Sequence, residues 1–506
     1  MTRRAAFVAI ALGAVAVFGV ACAYTRYVPL NPDIAWQVYI AVALARGAEL
    51  GRDLIEVNPP LAAWFDVPVV QLGAPLGLSP AFSHQLATML LGLWSVLLVS
   101  LAGRAVATLR RPAALLAFSL ACAIPLALHG GLEVGQREQM AILLALPYFV
   151  LLAARLEGAE ASRRLALAIG ISAGLGFALK PFFVLPLALG ELLLLVEHRR
   201  LRALFRIEVV GMAAVFAAYP VAILLAAPEW LASAREFWPL YGGYRVATAR
   251  DILERHGRIL VLAVLAMLAW ALARRHVART SRLGDALAAG LLGFVLAMLL
   301  QRKPWTYLTL PSAVLAVALL MATVLETSGR MRTPGGRLLR ATLVLLVGLR
   351  LAWYAVWLAF IAGTSLIYRT SLAEYEWLRA ELDSLPPGTT YGSLAPTHGA
   401  AFPLVLDVEG TWVMRLPSLW PAMSASAQDA VTQDRLRRLV ATDLMQGRPE
   451  ILLVGSADSP WLGPLAQRDW MRWLAELPQG AEALAPYREW RRLGSFVVLR
   501  RESSTR

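Results

Sequence analysis

The stretch Gln139-Met140-Ala141-Ile142-Leu143-Leu144-Ala145-Leu146-Pro147-Tyr148-Phe149-Val150-Leu151-Leu152-Ala153-Ala154 carries no charge. A bilayer core of about 30 Å asks for about 20 predominantly apolar residues, so a run like this is a candidate span. Its neighbours repeat the pattern. Residues 5–25, 84–103, 112–128, 207–227, 283–300 and 338–349 are also nearly free of charge. The whole chain, 506 residues, is 58% hydrophobic and only 16% charged. A soluble domain is about half apolar and about a quarter charged. Too little polar surface is left to coat a soluble particle, so the fold class is a polytopic α-helical membrane bundle.

Eleven spans are expected: 5–25, 84–108, 112–129, 139–156, 163–179, 181–197, 207–227, 258–273, 283–300, 307–325 and 338–362. The net charge of +14 is concentrated in short segments between them. Arg3 and Arg4, Arg110 and Arg111, Arg155 to Arg164, Arg199 to Arg206, Arg274 to Arg282 and Arg330 to Arg340 fall in every second connection. Basic loops of this kind stay on the cytoplasmic side. The N-terminus is therefore expected inside, in an inner (plasma) membrane, and the tail from about 364 on the periplasmic or extracellular side. The start resembles a signal peptide, but with more spans following it reads as an uncleaved first helix. The stretch 60–78 holds Asp66, Gln71 and several prolines and is expected to lie at the interface rather than cross. A crossing there would put the next basic loop outside.

The charge is not a nucleic-acid signature. No zinc-finger spacing, basic helix or aromatic ribonucleoprotein motif accompanies it. The two cysteines, Cys22 and Cys122, sit in apolar runs and offer neither a disulfide framework nor a metal site. His129 near Glu133 gives two ligand types where a metal site needs more. No metal and no cofactor are expected, with a loosely held divalent cation left open. No short-period repeat and no pair of matched halves with broken helices, the usual mark of a transporter, is visible.

The expected division is a membrane domain, 1–362, with outer loops 26–83 and 228–257, and an extracytoplasmic α/β domain, 363–506. Strands are expected at 389–394, 401–407, 449–455 and 496–501, and helices at 371–384, 426–445 and 464–475. No glycine-rich nucleotide loop follows any of these strands.

The chemistry-bearing residues gather at the outer ends of the spans. Asp33, after Pro32, opens a helix reaching about Leu44. It suits either an N-terminal cap or a general base. Asp53, Glu56 and Asn58 stand just before Pro59 and Pro60, which start the 60–78 helix. Gly130 to Gln139 is a tight turn carrying Glu133, Arg137 and Glu138. Those charges either neutralise one another or aim into a cavity. Only two lysines occur, Lys180 and Lys303, and each precedes a proline at an outer span end. A lysine is a compact charge suited to phosphate. With Arg302 beside Lys303, the pattern suggests a phosphate or diphosphate anchor, against the simpler reading of snorkelling side chains. Trp230, Arg235, Trp238, Tyr241, Tyr244 and Arg245 fit an interfacial segment or a cover over a lipid headgroup.

These motifs, in this order, resemble the GT-C integral membrane glycosyltransferases, in particular the protein O-mannosyltransferases (family 39) and the lipid A aminoarabinose transferases. The resemblance covers about residues 1–362. It rests on Asp33 soon after the first span, then Asn58-Pro59-Pro60-Leu61-Ala62-Ala63-Trp64. It continues with the short polar second loop and Lys180-Pro181. Last come Gln301-Arg302-Lys303-Pro304-Trp305-Thr306-Tyr307 and Pro311. Ile34 stands where the family often has a second acid, and Asn58 where it often has a basic residue before Pro-Pro. The resemblance implies an enzyme that takes a sugar from a polyprenyl-phosphate donor embedded among membrane lipids. The acceptor would be an extracytoplasmic glycan, lipid or protein, with inversion at the anomeric carbon. In that scheme Asp33 is the base, Glu133 and Glu138 orient donor or acceptor, and Arg137, Lys180, Arg302 and Lys303 meet the phosphate. Glu56, Asn58 and Tyr307 complete the substrate contacts. The competing functions are a transporter or flippase of lipid-linked sugars, a non-catalytic envelope-assembly scaffold, and a polymerase or ligase of similar shape.

Overall fold

A helix whose every side chain must be satisfied by neighbours rather than by water is apolar on all sides. Arg137–Leu156 is such a helix: 94% of its apolar window is buried. The computed structural model describes residues 1–25, 29–274, 281–327, 334–367, 376, 378–386, 388–455, 468–493 and 496–502. The helices up to the tail are α1 Arg3–Thr25, α2 Pro32–Ala45, α3 Leu61–Gly73, α4 Pro80–Gly103, α5 Pro112–Leu128, α6 Arg137–Leu156 and α7 Arg163–Ala178. They continue with α8 Val184–His198, α9 Ile207–Ala226, α10 Pro228–Gly243, α11 Ala249–Ala273, α12 Leu283–Gln301, α13 Leu310–Thr327 and α14 Pro334–Ile367. All eleven expected spans form helices. Among the described residues nine helices are long and apolar enough to cross a membrane. Of the other two, α5 has 17 residues and α7 has 16. The protein is a multi-pass membrane protein.

The boundaries shift where local chemistry overrides hydropathy. Helix α11 begins at Ala249 rather than near 258, because Thr248 and Asp251 form a reciprocal capping box. Helix α4 stops at Gly103, short of 108, and a 3-10 turn over Ala107–Arg110 follows. The expected interfacial stretch is α3 with a short turn, Leu61–Leu76, shorter than any of the nine candidate spans.

The chain forms two compact units. The first comprises Met1–Val28, Gln85–Val221 and Ala247–Gly363; the second comprises Pro29–His84, Ala222–Val246 and Thr364–Arg506. Most of the two expected outer loops thus groups with the tail. In the first unit α6, α12 and α13 are the buried helices, whereas α1, α9 and α14 bury less than a third of their apolar windows. Helices come close where a side chain is missing. A Cβ on Gly293 would lie 2.3 Å from Pro186 Cα, and one on Gly176 would lie 2.9 Å from the Ala141 carbonyl oxygen. Small residues let membrane helices pack without a hydrophobic driving force.

In the second unit α2 packs on α3, and Trp36, Tyr39 and Trp412 surround Phe402 with ring centroids 5.1 to 5.4 Å away. The tail sheet has strands β1 Thr390–Leu394, β2 Thr411–Trp412, β3 Ile451–Gly455, β4 Tyr487–Leu493 and β5 Phe496–Arg501, in the order β2-β1-β3-β5-β4. Strand β1 pairs parallel with β2 and β3; β5 runs antiparallel to β3 and β4. The expected strand 401–407 is instead a turn and a short helix, Leu404–Asp407. Its run of buried apolar residues fits either state, and periodicity does not decide between them. Strand β4 went unforeseen because it is a charged edge strand, Tyr-Arg-Glu-Trp-Arg-Arg-Leu. Helix Ala430–Gly447 overlaps the expected 426–445 and runs two residues past it, and Trp470–Ala475 falls within the expected 464–475. The first parts of the latter and of 371–384, along with His276 and parts of two basic segments, lie outside the described residues.

Candidate functional site

In the first unit the sequence places charge at the N-terminal end of α6. Arg137 and Glu138 open that helix, and the preceding turn is pinned by Gln139, whose Oε1 accepts from the Gly135 N–H at 2.7 Å and whose Nε2 donates to the Leu126 carbonyl at 2.8 Å. Glu138 is 1% exposed. Its Oε1 accepts from Lys180 Nζ at 2.6 Å, while Oε2 has no hydrogen-bond partner among the described residues. Lys180 precedes Pro181, which forces extended backbone before the turn (φ −146°, ψ 142°). The ammonium also lies 5.4 Å from the Tyr307 ring centroid, a cation–π contact. The structure therefore brings together Glu138 from α6, Lys180 from the turn between α7 and α8, and Tyr307 from the 3-10 turn before α13. Glu133 accepts from the Thr306 hydroxyl at 2.7 Å, one residue from Tyr307.

Arg137 differs from these. It is 6% exposed, yet no carboxylate and no hydrogen-bond acceptor among the described residues meets its guanidinium, and its Nε is buried. A buried cation without a partner is strongly unfavourable unless something else supplies the anion. Lys303 is 6% exposed, and burial lowers its pKa to about 8. Arg302 beside it is exposed. It takes a left-handed conformation (φ 48°) that ends α12, and its carbonyl accepts from the Ala247 N–H at 2.8 Å. The Arg302-Lys303 pair thus splits into one surface and one buried cation.

In the second unit Asn31, not Asp33, caps α2: its side chain accepts from the Asp33 N–H at 2.9 Å. The Asp33 carboxylate is left without a hydrogen bond or ion pair among the described residues. Its charge is felt by Tyr244, whose hydroxyl pKa is pushed up first by burial and then by Asp33, with Arg245 opposing. Glu56 is fully engaged. Its Oε1 accepts from Asn58 N (2.7 Å) and Nδ2 (2.6 Å), and its Oε2 accepts from Trp36 Nε1 at 3.1 Å. Trp230 and Trp238 donate to the carbonyls of Glu56 and Val57 at 2.8 Å, so these aromatics brace the loop before α3. Asp53 is a surface group, held below the usual carboxylate range by Arg52.

Two features escaped the sequence. Asp66 is fully buried and accepts from Gln37 Nε2 at 2.8 Å, and His84 Nδ1 lies 2.7 Å from its other oxygen. A histidine and an acid inside apolar runs were the available signal. His256 Nε2 donates to the Trp305 carbonyl at 3.1 Å, two residues after Lys303 in sequence, and its buried Nδ1 has no hydrogen-bond partner among the described residues. His129 Nδ1 meets Arg350 and Tyr354 at 3.3 Å. Among the described residues no group of three His, Cys, Asp or Glu side chains is arranged to hold a metal ion.

No protein-family model matches the chain, and no curated protein matches it. Solved structures do. The crystal structure of ArnT from Cupriavidus metallidurans bound to undecaprenyl phosphate superposes with a TM-score of 0.60 at 15% identity, covering 97% of this chain and 98% of that chain. ArnT in the apo state gives 0.61 at 14% identity, with 98% of each chain covered. An oligosaccharyltransferase from Archaeoglobus fulgidus reaches only 0.45 at 13% identity, covering 97% of this chain and 74% of that one. The chain has the fold of ArnT, a membrane helical bundle with a C-terminal domain.

Proposed function

We propose that the chain is a membrane glycosyltransferase. It takes a sugar from a polyprenyl-phosphate carrier and passes it to a hydroxyl of an extracytoplasmic glycan, lipid or protein. The observation that carries the reading is the buried, unpartnered guanidinium of Arg137 in the unit that also buries Lys180 and Lys303. Such a group of cations suits a lipid phosphate, whose charge grows as the bond to the sugar breaks. The ArnT likeness supports the same direction, since the crystallised ArnT holds undecaprenyl phosphate.

In this reading the acceptor oxygen attacks the anomeric carbon. The bond from that carbon to the phosphate oxygen breaks, and polyprenyl phosphate leaves with both bonding electrons. The acceptor proton passes to Asp33, whose carboxylate is not committed to a cap. Attack opposite the leaving group inverts the anomeric centre. Arg137, Lys180, Lys303 and Arg302 bind the phosphate, with Tyr307 holding the Lys180 ammonium. Glu138 orients Lys180, and Glu133 is assigned to donor or acceptor. Glu56 and Asn58 shape the loop before α3. The orientation that goes with this has the N-terminus in the cytoplasm and residues 363–506 as a domain on the far side of the inner membrane, after a membrane part spanning 1–362.

The test is mass spectrometry of lipids that co-purify with the native chain and with Lys303→Ala. A polyprenyl phosphate or its sugar adduct, lost in the variant, is expected and would name the donor. Absence of such a lipid from both folded samples would overturn the donor reading in favour of a scaffold or a transporter of other cargo.

A further inference from the structure

The first unit holds a second basic feature, at the start of α1. A cleft of about 270 Å³, counting the space open to solvent, is lined by Arg3, Arg104 and Arg110 together with Phe7 and Leu115. Among the described residues none of the three guanidinium groups makes an ion pair or donates a hydrogen bond. Arg104 lies over the Phe7 ring, 5.7 Å from its centroid. Arg110 acts on Glu157 through space, but the two Glu157 oxygens already accept the backbone N–H groups of Ala107 (2.6 Å) and Arg282 (3.0 Å). Helices α1 and α5 both start at this cleft, and neither has an acidic residue in its first turn. Positive charge therefore accumulates here, with Glu157 the carboxylate whose charge reaches Arg110 and no ion pair on any of the three arginines among the described residues.

The surface beyond the cleft is apolar. Val8, Leu12 and Val15 of α1 are 53%, 66% and 55% exposed. A cationic cleft at the end of an exposed apolar helix face is complementary to an amphiphile with an anionic head. Basic pockets at the ends of membrane helices hold lipid headgroups by this combination. We infer that Arg3, Arg104 and Arg110 form a headgroup site for a phosphate-bearing anionic lipid whose acyl chain lies along α1. The site is independent of the donor-phosphate residues and of the transferase reading. If the arginines served only to fix the direction of insertion, they would give no saturable site.

The test is native mass spectrometry of the delipidated full chain, titrated separately with phosphatidylglycerol, phosphatidylcholine and inorganic phosphate. One phosphatidylglycerol is expected to bind saturably, in preference to phosphatidylcholine. The triple variant Arg3→Gln, Arg104→Gln, Arg110→Gln is expected to weaken it by about tenfold or more. Arg199→Gln, Arg200→Gln, Arg202→Gln, which removes equal charge elsewhere in the same unit, is expected to leave it unchanged. Equal loss in both triple variants would replace the site by diffuse charge attraction. Inorganic phosphate binding as tightly as the lipid would overturn the lipid assignment and leave a free-anion site. If the triple variant does not fold, the single Arg104→Gln is read the same way, with a smaller expected loss; unchanged lipid retention there would sink the inference.

Discussion

Helix α6 has an arginine near each end, and the two ends are built differently. At its C-terminal end Arg155 donates from Nε and a terminal nitrogen to the two oxygens of Glu208, at 2.9 and 3.0 Å. Arg206 joins Glu208 at 2.8 Å and Glu191 at 2.6 Å, and Tyr148 donates to Glu191 at 2.7 Å. Every charge in that network has a counter-charge. At the N-terminal end, about 30 Å away for a helix of this length, Arg137 has none among the described residues, while each end keeps one buried carboxylate oxygen without a hydrogen bond there, Glu138 Oε2 and Glu191 Oε2. Both arginines are largely buried, so solvent does not account for the difference. The paired end holds helices together; the unpaired end is short of an anion. Charges satisfied within the fold are read as structure, and charges left incomplete are read as a place for a ligand.

The contrast extends to the second unit through Asp33, another charge without a partner. Asp33→Asn is expected to lower the rate of sugar transfer by about two to four orders of magnitude, the scale of general-base catalysis. Co-purified carrier lipid should stay bound. A scaffold would tolerate the change, so transfer or complementation at the native level would break the enzyme reading.

Glu208→Gln and Arg137→Ala test the two ends of α6 directly. Glu208 is 1% exposed and neutralises two arginines. Its loss is expected to destabilise the protein by about 3–5 kcal/mol, as removing one partner of a buried pair does. A thermal-melt assay in detergent reads it, with no specific change in donor KM. Arg137→Ala should do the reverse. The melting temperature should hold or rise, because a buried charge without a partner disappears. Donor KM should rise about 10–100-fold through loss of a charge-assisted contact. A melting point that falls as far as in Glu208→Gln would show that Arg137 has a structural partner and would collapse the comparison.

Much of this was legible in the sequence, and the limits have physical causes. All eleven apolar runs became helices because absence of charge over a span length is a one-dimensional signal. The Lys180-Pro181 and Lys303-Pro304 doublets stood out because proline fixes the backbone just where a span breaks. The pairing of Lys180 with Glu138, by contrast, joins residues far apart in the chain, and nothing local announces it. The sequence offered Asp33 as either a cap or a base; Asn31 takes the cap, a choice only side-chain geometry makes. The Arg302-Lys303 pair looked like one cationic unit, yet the turn at Arg302 sends one side chain to the surface and buries the other. In the tail, Ala401 to Asp407 read as a strand because a short buried apolar run has no distinctive period, and β4 was hidden by its own arginines.

Lys303, a buried cation of the same unit, offers the smallest and most graded test. Burial disfavours its charged form and lowers its pKa to about 8, below the ordinary lysine value. The protonated ammonium therefore predominates below about pH 8 and is lost as pH rises through that value. The sign follows: if Lys303 meets the donor phosphate, affinity is full near neutral pH and falls as pH increases. Between about pH 7 and about pH 9 the competent fraction drops by roughly tenfold, and the apparent donor Kd should rise by about the same factor. Lys303→Arg, which stays charged throughout, should flatten the profile even if its absolute affinity is lower. The folded state holds this proton less tightly than the unfolded chain, so stability in the absence of donor should rise between about pH 8 and the ordinary lysine value. Affinity and stability thus move in opposite directions over the same interval. Parallel curves would mean that the pH effect is global unfolding and not the titration of one buried lysine.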